Sequence, residues 1–304
     1  MPRPHVPVIL AWTLKFQGDF ADDLNKYHLA NCTYECIAVN RDVRPNAPFV
    51  LMTHEAPPNI GMRLYQDSEL HHYFNATISY LMSSTYYQPY DRMENITPTT
   101  TVGDIYTQDE ELKETGLGVT EVGACGNEKC PAGDDCEEQL IVEHRFILAF
   151  ENAVCNGYVS EKAFRLKKLI VPIVLSRKVV GSLLPRDSFI AVDDFSTAQQ
   201  LVDYLQFLSE NTTEYERYFH WTTKYKKTRA STHLTGMCKL CEDMHNHRNN
   251  YGFIDAPEWF DHSQCQEGFG TKVPPTSAQN VAISSYAKLL LVTLFVLSSI
   301  TDLS

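Results

Sequence analysis

Positive charge is scarce in this sequence. Its 26 lysines and arginines are outnumbered by 38 aspartates and glutamates, for a formal net charge of −12 at pH 7, and a surface of that sign repels a phosphate backbone. Nucleic acid is thereby excluded as a partner. Any phosphate-bearing ligand must be met by a local cluster of cations or backbone N–H groups working against the overall field. Long apolar runs are missing as well. Val6 to Leu14 is interrupted by Pro7 and falls far short of the ~20 residues a membrane span needs. No secretory signal is legible there, so the expectation is that the entry signal is missing or lies elsewhere. Leu289 to Ile300 is apolar for only about a dozen residues, between Lys288 and a polar Thr-Asp-Leu-Ser ending. A short tail anchor, a lipid-anchor signal preceded by Ser277 and Ala278, and a buried final helix all compete for it; a membrane-associated tail is the expectation. Internal repeats are also lacking.

Apolar and aromatic side chains are plentiful. At 43% hydrophobic and 11% aromatic, the chain can bury a real core and is not a disordered one. Its 304 residues predict one or two domains, with two expected. Nine cysteines are many for a reducing compartment, and they cluster: Cys32 with Cys36; Cys125, Cys130, Cys136 and Cys155; Cys238, Cys241 and Cys265. Disulfides are the preferred reading, with cytosolic thiols as the alternative. The odd count leaves at least one cysteine outside the intramolecular pairs. Four sequons, at Asn31, Asn75, Asn95 and Asn211, are of the N-glycosylation type and agree with an oxidising compartment.

Hydrophobic patterning organises the chain. Val8 to Thr13 reads as a first strand and Phe49 to Thr53 as another, with Ala56-Pro57-Pro58-Asn59 as the loop that leaves it. Glu55 then stands at a strand's carboxyl end, where open α/β sheets bind ligands. Met93 to Thr120 is polar and reads as a linker between halves. The second half is better patterned: strands over Arg145 to Phe150, Ile170 to Leu175 and Ser188 to Val192, and a helix over Glu161 to Leu169. Ala198, Leu201, Val202, Leu205 and Leu208 recur at three and four, an amphipathic helix with Ser196 as N-cap. Strands alternating with helices predict a parallel sheet of βαβ units.

The segment His144 to Lys162, HRFILAFENAVCNGYVSEK, carries the most chemistry. A buried strand delivers Glu151 and Asn152 to a loop, and the Gly157-Tyr158 turn launches a helix whose first turn holds Glu161 and Lys162. A helix start attracts anions through its free N–H groups, and Lys162 adds a full charge, which makes a diphosphate seat. Glu161 is placed to accept hydrogen bonds from sugar hydroxyls. The plainer reading is that Ser160 or Glu161 caps the helix and Lys162 is solvated.

This stretch resembles the Phe-Glu-Asn-Ser, then Tyr-Val-Thr-Glu-Lys signature of the α1,3-fucosyltransferases. The likeness continues through VPIVL at 171–175, PRDSFIAVDDFS at 185–196 and YLQFL to YERYFHW at 204–221, covering about half the chain. The resemblance implies an α/β fold of two facing Rossmann-like domains, the GT-B type. The expected division is an acceptor-side domain over 1–115, a GDP-fucose-binding domain over 116–270 and a linker with a short hydrophobic tail over 271–304. It implies donor contacts from Glu151, Asn152, Tyr158, Glu161 and Lys162, with Lys162 on the diphosphate. THEAPPN at 53–59 is similar to the family's Glu-Ser-Pro motif, and this implies Glu55 as general base.

The implied reaction is inverting transfer of L-fucose from GDP-fucose to N-acetylglucosamine of a glycoprotein or glycolipid glycan. It requires no metal, a divalent cation such as Mn2+ being at most a stimulant. A membrane-associated location on the lumenal side of the Golgi is implied too. A catalytically inactive nucleotide- or glycan-binding relative is the alternative, because the chain departs from the pattern. FNATISY at 74–80 and Pro89-Tyr90 match family elements, yet Leu81, Met82, Ser83, Ser84 and Thr85 stand where two arginines and an Asp-Ser-Asp run are usual. The family's Ser-Asn-Cys segment, with its diphosphate-holding arginine, is not found between Tyr90 and Gly123. Cys238, Cys241, His245, His247 and Cys265 have zinc spacing, but the family uses cysteines of this region in disulfides. The cysteines expected to pair are thus Cys32, Cys36, Cys125, Cys130, Cys136, Cys238, Cys241 and Cys265.

Overall fold

Among the described residues, every pair of neighbouring strands runs parallel. Parallel strands need crossovers to join them, which is the βαβ arrangement the alternating sequence predicts. The computed structural model describes residues 6–11, 20–30, 32–40, 49–60, 72–107, 119–123, 135–228, 235–248, 252–266, 269 and 294–298. The expected sites at Asn31, Cys125 and Cys130, and the expected boundary at 115–116, lie outside the described residues, as does the side chain of Cys136. The chain divides into two compact units. The first comprises Met1–Asp91, Cys155–Tyr158 and Arg229–Cys265, the second Arg92–Val154, Val159–Thr228 and Gln266–Ser304.

In the first unit β1 (Val8–Ala11) pairs with β2 (Ile37–Asn40), Val8 opposite Ile37. A separate sheet holds β3 (Val50–Met52), β4 (Ala76–Ser79) and β5 (Tyr86–Tyr87) in that order. Asn25, on the helical segment that crosses from β1 to β2, exchanges two hydrogen bonds with the backbone of Ala38 at 2.9 and 2.8 Å. Its amide thereby satisfies strand groups that would otherwise lack a ladder partner. The Ala56–Asn59 stretch, expected as a loop, turns into the one-turn helix Pro57–Ile60. Proline at the first helical position loses no intrahelical bond, so the two prolines that signal a loop also fit a helix start.

Helix Thr235–His245 completes this unit, contributing Met237, Leu240 and Cys241 to a core with Leu24, Ala38, Ile78 and Tyr86. Its start lies so close to Gln88 that a Cβ on Gly236 would stand 2.9 Å from Gln88 Cβ, so only glycine fits. Two disulfides, Cys32–Cys238 and Cys36–Cys241, tie the segment before β2 to this helix.

The second unit is built on a sheet ordered β6 (Val119–Gly123), β10 (Leu294–Ser298), β7 (Phe146–Leu148), β8 (Val171–Val174), β9 (Ile190–Ala191). Five residues of the apolar stretch expected as a membrane-associated tail thus run between β6 and β7. Strand β8 is buried along its whole length although it contains Pro172. Val171 donates to Arg145 and Ile173 accepts from Ala149, so Pro172 is directed to the other side, and there β9 begins only opposite Ile173. The missing N–H falls where no strand stands to receive it.

Helix Glu161–Phe164 tightens into a 3-10 turn, Arg165–Lys168, and stops at Leu169, whose φ of 61° is left-handed. Helix Ala198–Glu210 forms where its apolar period predicts, but its cap is Thr197, not Ser196. Thr197 Oγ1 accepts from Gln200 N, and Gln200 Oε1 accepts from Ser196 N, a nearly reciprocal cap. Phe146, Phe164, Ile173, Phe189, Leu205, Phe219 and Trp221 join in one apolar core.

The described residues 93–107 of the polar stretch expected as a linker form a strap on this second unit. Ile96 N donates to Lys224 O at 2.8 Å, Lys226 N to Glu94 O at 2.9 Å and Lys227 N to Asp104 O at 2.7 Å. Met93 and Tyr106 pack on the core. Backbone pairing and two apolar anchors hold it, and neither shows in an average of polarity. The first long segment of the first unit ends at Asp91.

Candidate active site

In the second unit β7 ends at Leu148, and three residues later Glu151 turns its carboxylate inward, with its side chain 8% exposed. Glu151 Oε1 accepts from Ser160 N at 2.7 Å, and Oε2 accepts from Ser160 Oγ at 2.8 Å and Lys162 Nζ at 3.3 Å. Ser160 also caps helix Glu161–Phe164 by accepting from Lys162 N, as the plainer sequence reading has it. Lys162 is not solvated, however: its side chain is 10% exposed and Nζ makes a second contact to Ser160 Oγ at 3.4 Å. Glu161 Oε1 lies at 4.0 Å from the same nitrogen.

Burial raises the pKa of Glu151 above the usual carboxylate range, and the neighbouring Lys162 charge and the Ser160 hydrogen bonds oppose that rise. The expected anion seat at the helix start is thus filled by the protein's own carboxylate, which takes the Ser160 N–H and hydroxyl. Lys162 is the cation left beside it, with three N–H donors to distribute. Asn152 and Glu161 are exposed and offer an amide and a carboxylate to a solute.

In the first unit Glu55 stands at the carboxyl end of β3, as its sequence position predicts. The turn is set by Thr53: its N–H donates to Ile78 O, and its Oγ1 accepts from Glu55 N at 3.1 Å. Tyr90 hydroxyl donates to His54 O at 2.5 Å. Tyr158 hydroxyl donates to Glu55 Oε2 at 3.2 Å, so the half-buried Glu55 is not a solvated loop residue. Sequence spacing gives no sign of that contact, since it joins residues separated by 103 positions.

Tyr158 belongs to the first unit because the short segment Cys155–Tyr158 does. Cys155, absent from the cysteines expected to pair, forms a disulfide with Cys265. Asn156 donates from its backbone to Ser263 O at 2.6 Å and from its side chain to Gln264 Oε1 at 2.9 Å. Gly157 then takes a φ of 72°, a left-handed turn natural to glycine. Cysteines 238, 241 and 265 are all spent in disulfides, which removes the zinc alternative; among the described residues there is no cluster of metal-ligand type.

Of the described sequons, Asn95 is exposed. Asn211 caps helix Thr212–Glu216. Asn75 Oδ1 accepts from Phe49 N, and Thr77 of its sequon is buried in β4. No helix among the described residues is long and apolar enough to cross a membrane.

Comparison with known proteins gives these residues a context. A model of the C-terminal region of glycosyltransferase family 10 (fucosyltransferase) matches residues 99–259. Alpha-(1,3)-fucosyltransferase fut-1 of Caenorhabditis elegans is 42% identical over 107 residues, which is 34% of this chain and 25% of that protein. Alpha-(1,3)-fucosyltransferase fut-5 of the same worm is 25% identical over 271 residues, 77% of this chain and 70% of that protein. The human 4-galactosyl-N-acetylglucosaminide 3-alpha-L-fucosyltransferase FUT6 is 27% identical over 311 residues, 85% and 84% of the two chains. Among solved structures, an α1,3-fucosyltransferase with GDP superposes with a TM-score of 0.53 at 14% identity, covering 84% of this chain and 95% of that one.

Proposed function

Because the chain belongs to glycosyltransferase family 10, and has the GT-B type α/β fold of a solved α1,3-fucosyltransferase, we propose that it is an inverting α1,3-fucosyltransferase. It moves L-fucose from GDP-fucose to N-acetylglucosamine of a glycoprotein or glycolipid glycan. One observation carries the reading: an acidic chain keeps Lys162 almost out of water in the first turn of a helix, held by Glu151, which follows the end of a parallel strand, and by Ser160. Desolvating an ammonium costs free energy, and a local cation is what a diphosphate needs on a surface of net negative charge. That a relative has been crystallised with GDP agrees with this.

In this mechanism Lys162 meets the diphosphate, Glu151 keeps Lys162 aimed, and the exposed Asn152 and Glu161 bind hydroxyls of the donor. Glu55 takes the proton of the acceptor hydroxyl as that oxygen attacks the anomeric carbon of fucose. The bond from that carbon to the phosphate oxygen breaks on the opposite face, and GDP departs with the electron pair. Lys162 neutralises the charge that grows on the leaving group, so the step is written without a metal ion. The three disulfides among the described residues agree with an oxidising lumen, and we assign the protein to the lumenal side of the Golgi membrane.

A second reading, a relative that binds nucleotide or glycan without transfer, is favoured by Leu81–Thr85. Leu81 there is buried and Met82 is exposed, where the family carries arginines.

Calorimetric titration with GDP, followed by transfer from radiolabelled GDP-fucose to a panel of glycans ending in N-acetylglucosamine, separates the readings. The native protein should bind GDP, and Lys162→Ala should lose that binding. Glu55→Gln should keep GDP affinity while transfer falls about 10²- to 10⁴-fold. A native protein that ignores GDP at saturation would end the donor-sugar reading; one that binds GDP and transfers to no acceptor would establish the second.

A further inference from the structure

Family resemblance implies that Tyr158 touches the donor, but its geometry has another emphasis. Its side chain lies in a residue only 2% exposed, with its ring set against Tyr80 at 5.0 Å and Tyr90 at 6.0 Å between centroids. Its hydroxyl donates to Glu55 Oε2. Among the described residues Glu55 Oε1 accepts no hydrogen bond. One oxygen of the carboxylate is therefore tethered and the other is available to a substrate. Tyr90, packed edge-on to Tyr158, holds the backbone one residue earlier through His54 O. The two tyrosines fix the loop and the carboxylate it carries. Tyr158 is itself delivered by a pinned segment, with Cys155 bonded to Cys265 and Asn156 bonded to Ser263 and Gln264.

We propose that Tyr158 is a positioning residue for the general base, orienting Glu55 through its hydroxyl, and that the Cys155–Cys265 disulfide is the anchor that keeps it there. The inference rests on reading Glu55 as the base. A glutamate at a loop start samples several rotamers, and general-base catalysis needs the one that brings its oxygen within hydrogen-bond reach of the acceptor hydroxyl. A hydroxyl bonded to Oε2 narrows that choice before the acceptor arrives. A donor contact would act on affinity for GDP-fucose; a positioning contact acts on turnover.

The test is a double-mutant cycle of Tyr158→Phe and Glu55→Gln, assayed for kcat, for KM of GDP-fucose and for calorimetric GDP affinity. Tyr158→Phe keeps the ring and should lower kcat roughly ten- to a hundredfold, the range for losing a hydrogen bond to a charged group. KM for GDP-fucose and GDP affinity should stay unchanged. In the Glu55→Gln background the same substitution should cost nothing further. Cys155→Ser with Cys265→Ser should repeat the kcat loss with donor affinity kept, which preserves the test should Tyr158→Phe fold poorly.

A raised KM with unaltered kcat, or losses that multiply across the cycle, would overturn the positioning role while leaving Glu55 as the base. Full transfer by Glu55→Gln would overturn the base and the inference together, as would a native protein without transfer.

Discussion

The two units hold themselves together by different means. The second surrounds its sheet with aromatic and branched side chains, from Phe146 and Ile173 to Phe219 and Trp221, in the larger of the two apolar cores. The first has a smaller core in which alanines and cysteines occupy several places, and the three described disulfides all lie in it. A small core leaves a domain marginal, and covalent links are the usual supplement. A unit resting on links should fail when they are cut, whereas one resting on burial should fail when a ring is removed.

The strongest way to break this comparison is to remove Cys32–Cys238 and Cys36–Cys241 together by Cys→Ser changes. They span 206 and 205 residues, so on the chain-entropy account the first closure contributes about 5 kcal/mol. The second closes only the small ring left between them and adds about 2 to 3 kcal/mol. Hydrogen exchange should show protection lost from β1 to β5 and from helix Thr235–His245, and kept in β7 to β9. Protection lost equally from both units would refute the division.

Phe189→Ala is the converse change. Phe189 is wholly buried, and its truncation should cost about 3 to 5 kcal/mol, read as exchange that rises in the second unit first. A smaller effect sharpens the picture: Thr197→Ala removes the cap of helix Ala198–Glu210 and should lower stability by about 1 kcal/mol.

The smallest effect concerns Glu151, whose raised pKa means that the folded chain holds its proton to higher pH than the unfolded one. The contribution of that group to stability is full below the ordinary carboxylate range and is lost as pH rises through the folded value. Melting temperatures of the native protein and Glu151→Gln, compared as pH is lowered from neutral, should shift in favour of the native protein. A difference that is flat with pH would show that Glu151 does not titrate in this way.

The same contrast governs how much could be read beforehand. In the second unit, runs such as VPIV and the three-and-four spacing from Leu201 to Leu208 are apolar and regular, so β7 to β9 and helix Ala198–Glu210 are placed to within a residue or two, whereas β6 and β10 are not read as strands of this sheet. In the first unit β4 is Ala-Thr-Ile-Ser, buried at every position, and two of its four residues carry hydroxyls. Thr77 and Thr85 exchange their Oγ1 atoms with each other's backbone N–H, a local solution that leaves no trace in hydropathy. Helix Thr235–His245 does carry a helical period, in Met237, Leu240, Cys241 and Met244, but its Cys-x-x-Cys and histidines read first as disulfide or zinc spacing.

The candidate site divides likewise. Glu55, Glu151 and Lys162 are named by motif and by their positions after strand ends or, for Lys162, at a helix start. That Glu151 turns to Lys162, and that Tyr158 turns to Glu55, depends on how the intervening chain folds, and no spacing encodes it.

Four residues, Cys155–Tyr158, leave one unit to complete the other, and the latter also needs Arg229–Cys265. The order of synthesis is therefore at odds with the order of assembly. Met1–Asp91 emerges from the ribosome first, yet it must wait for Met237, Leu240 and Cys241 before its interior can close. Until then its cysteines at 32 and 36 are without their eventual mates, and their thiols stay unpaired with them while some two hundred further residues are made.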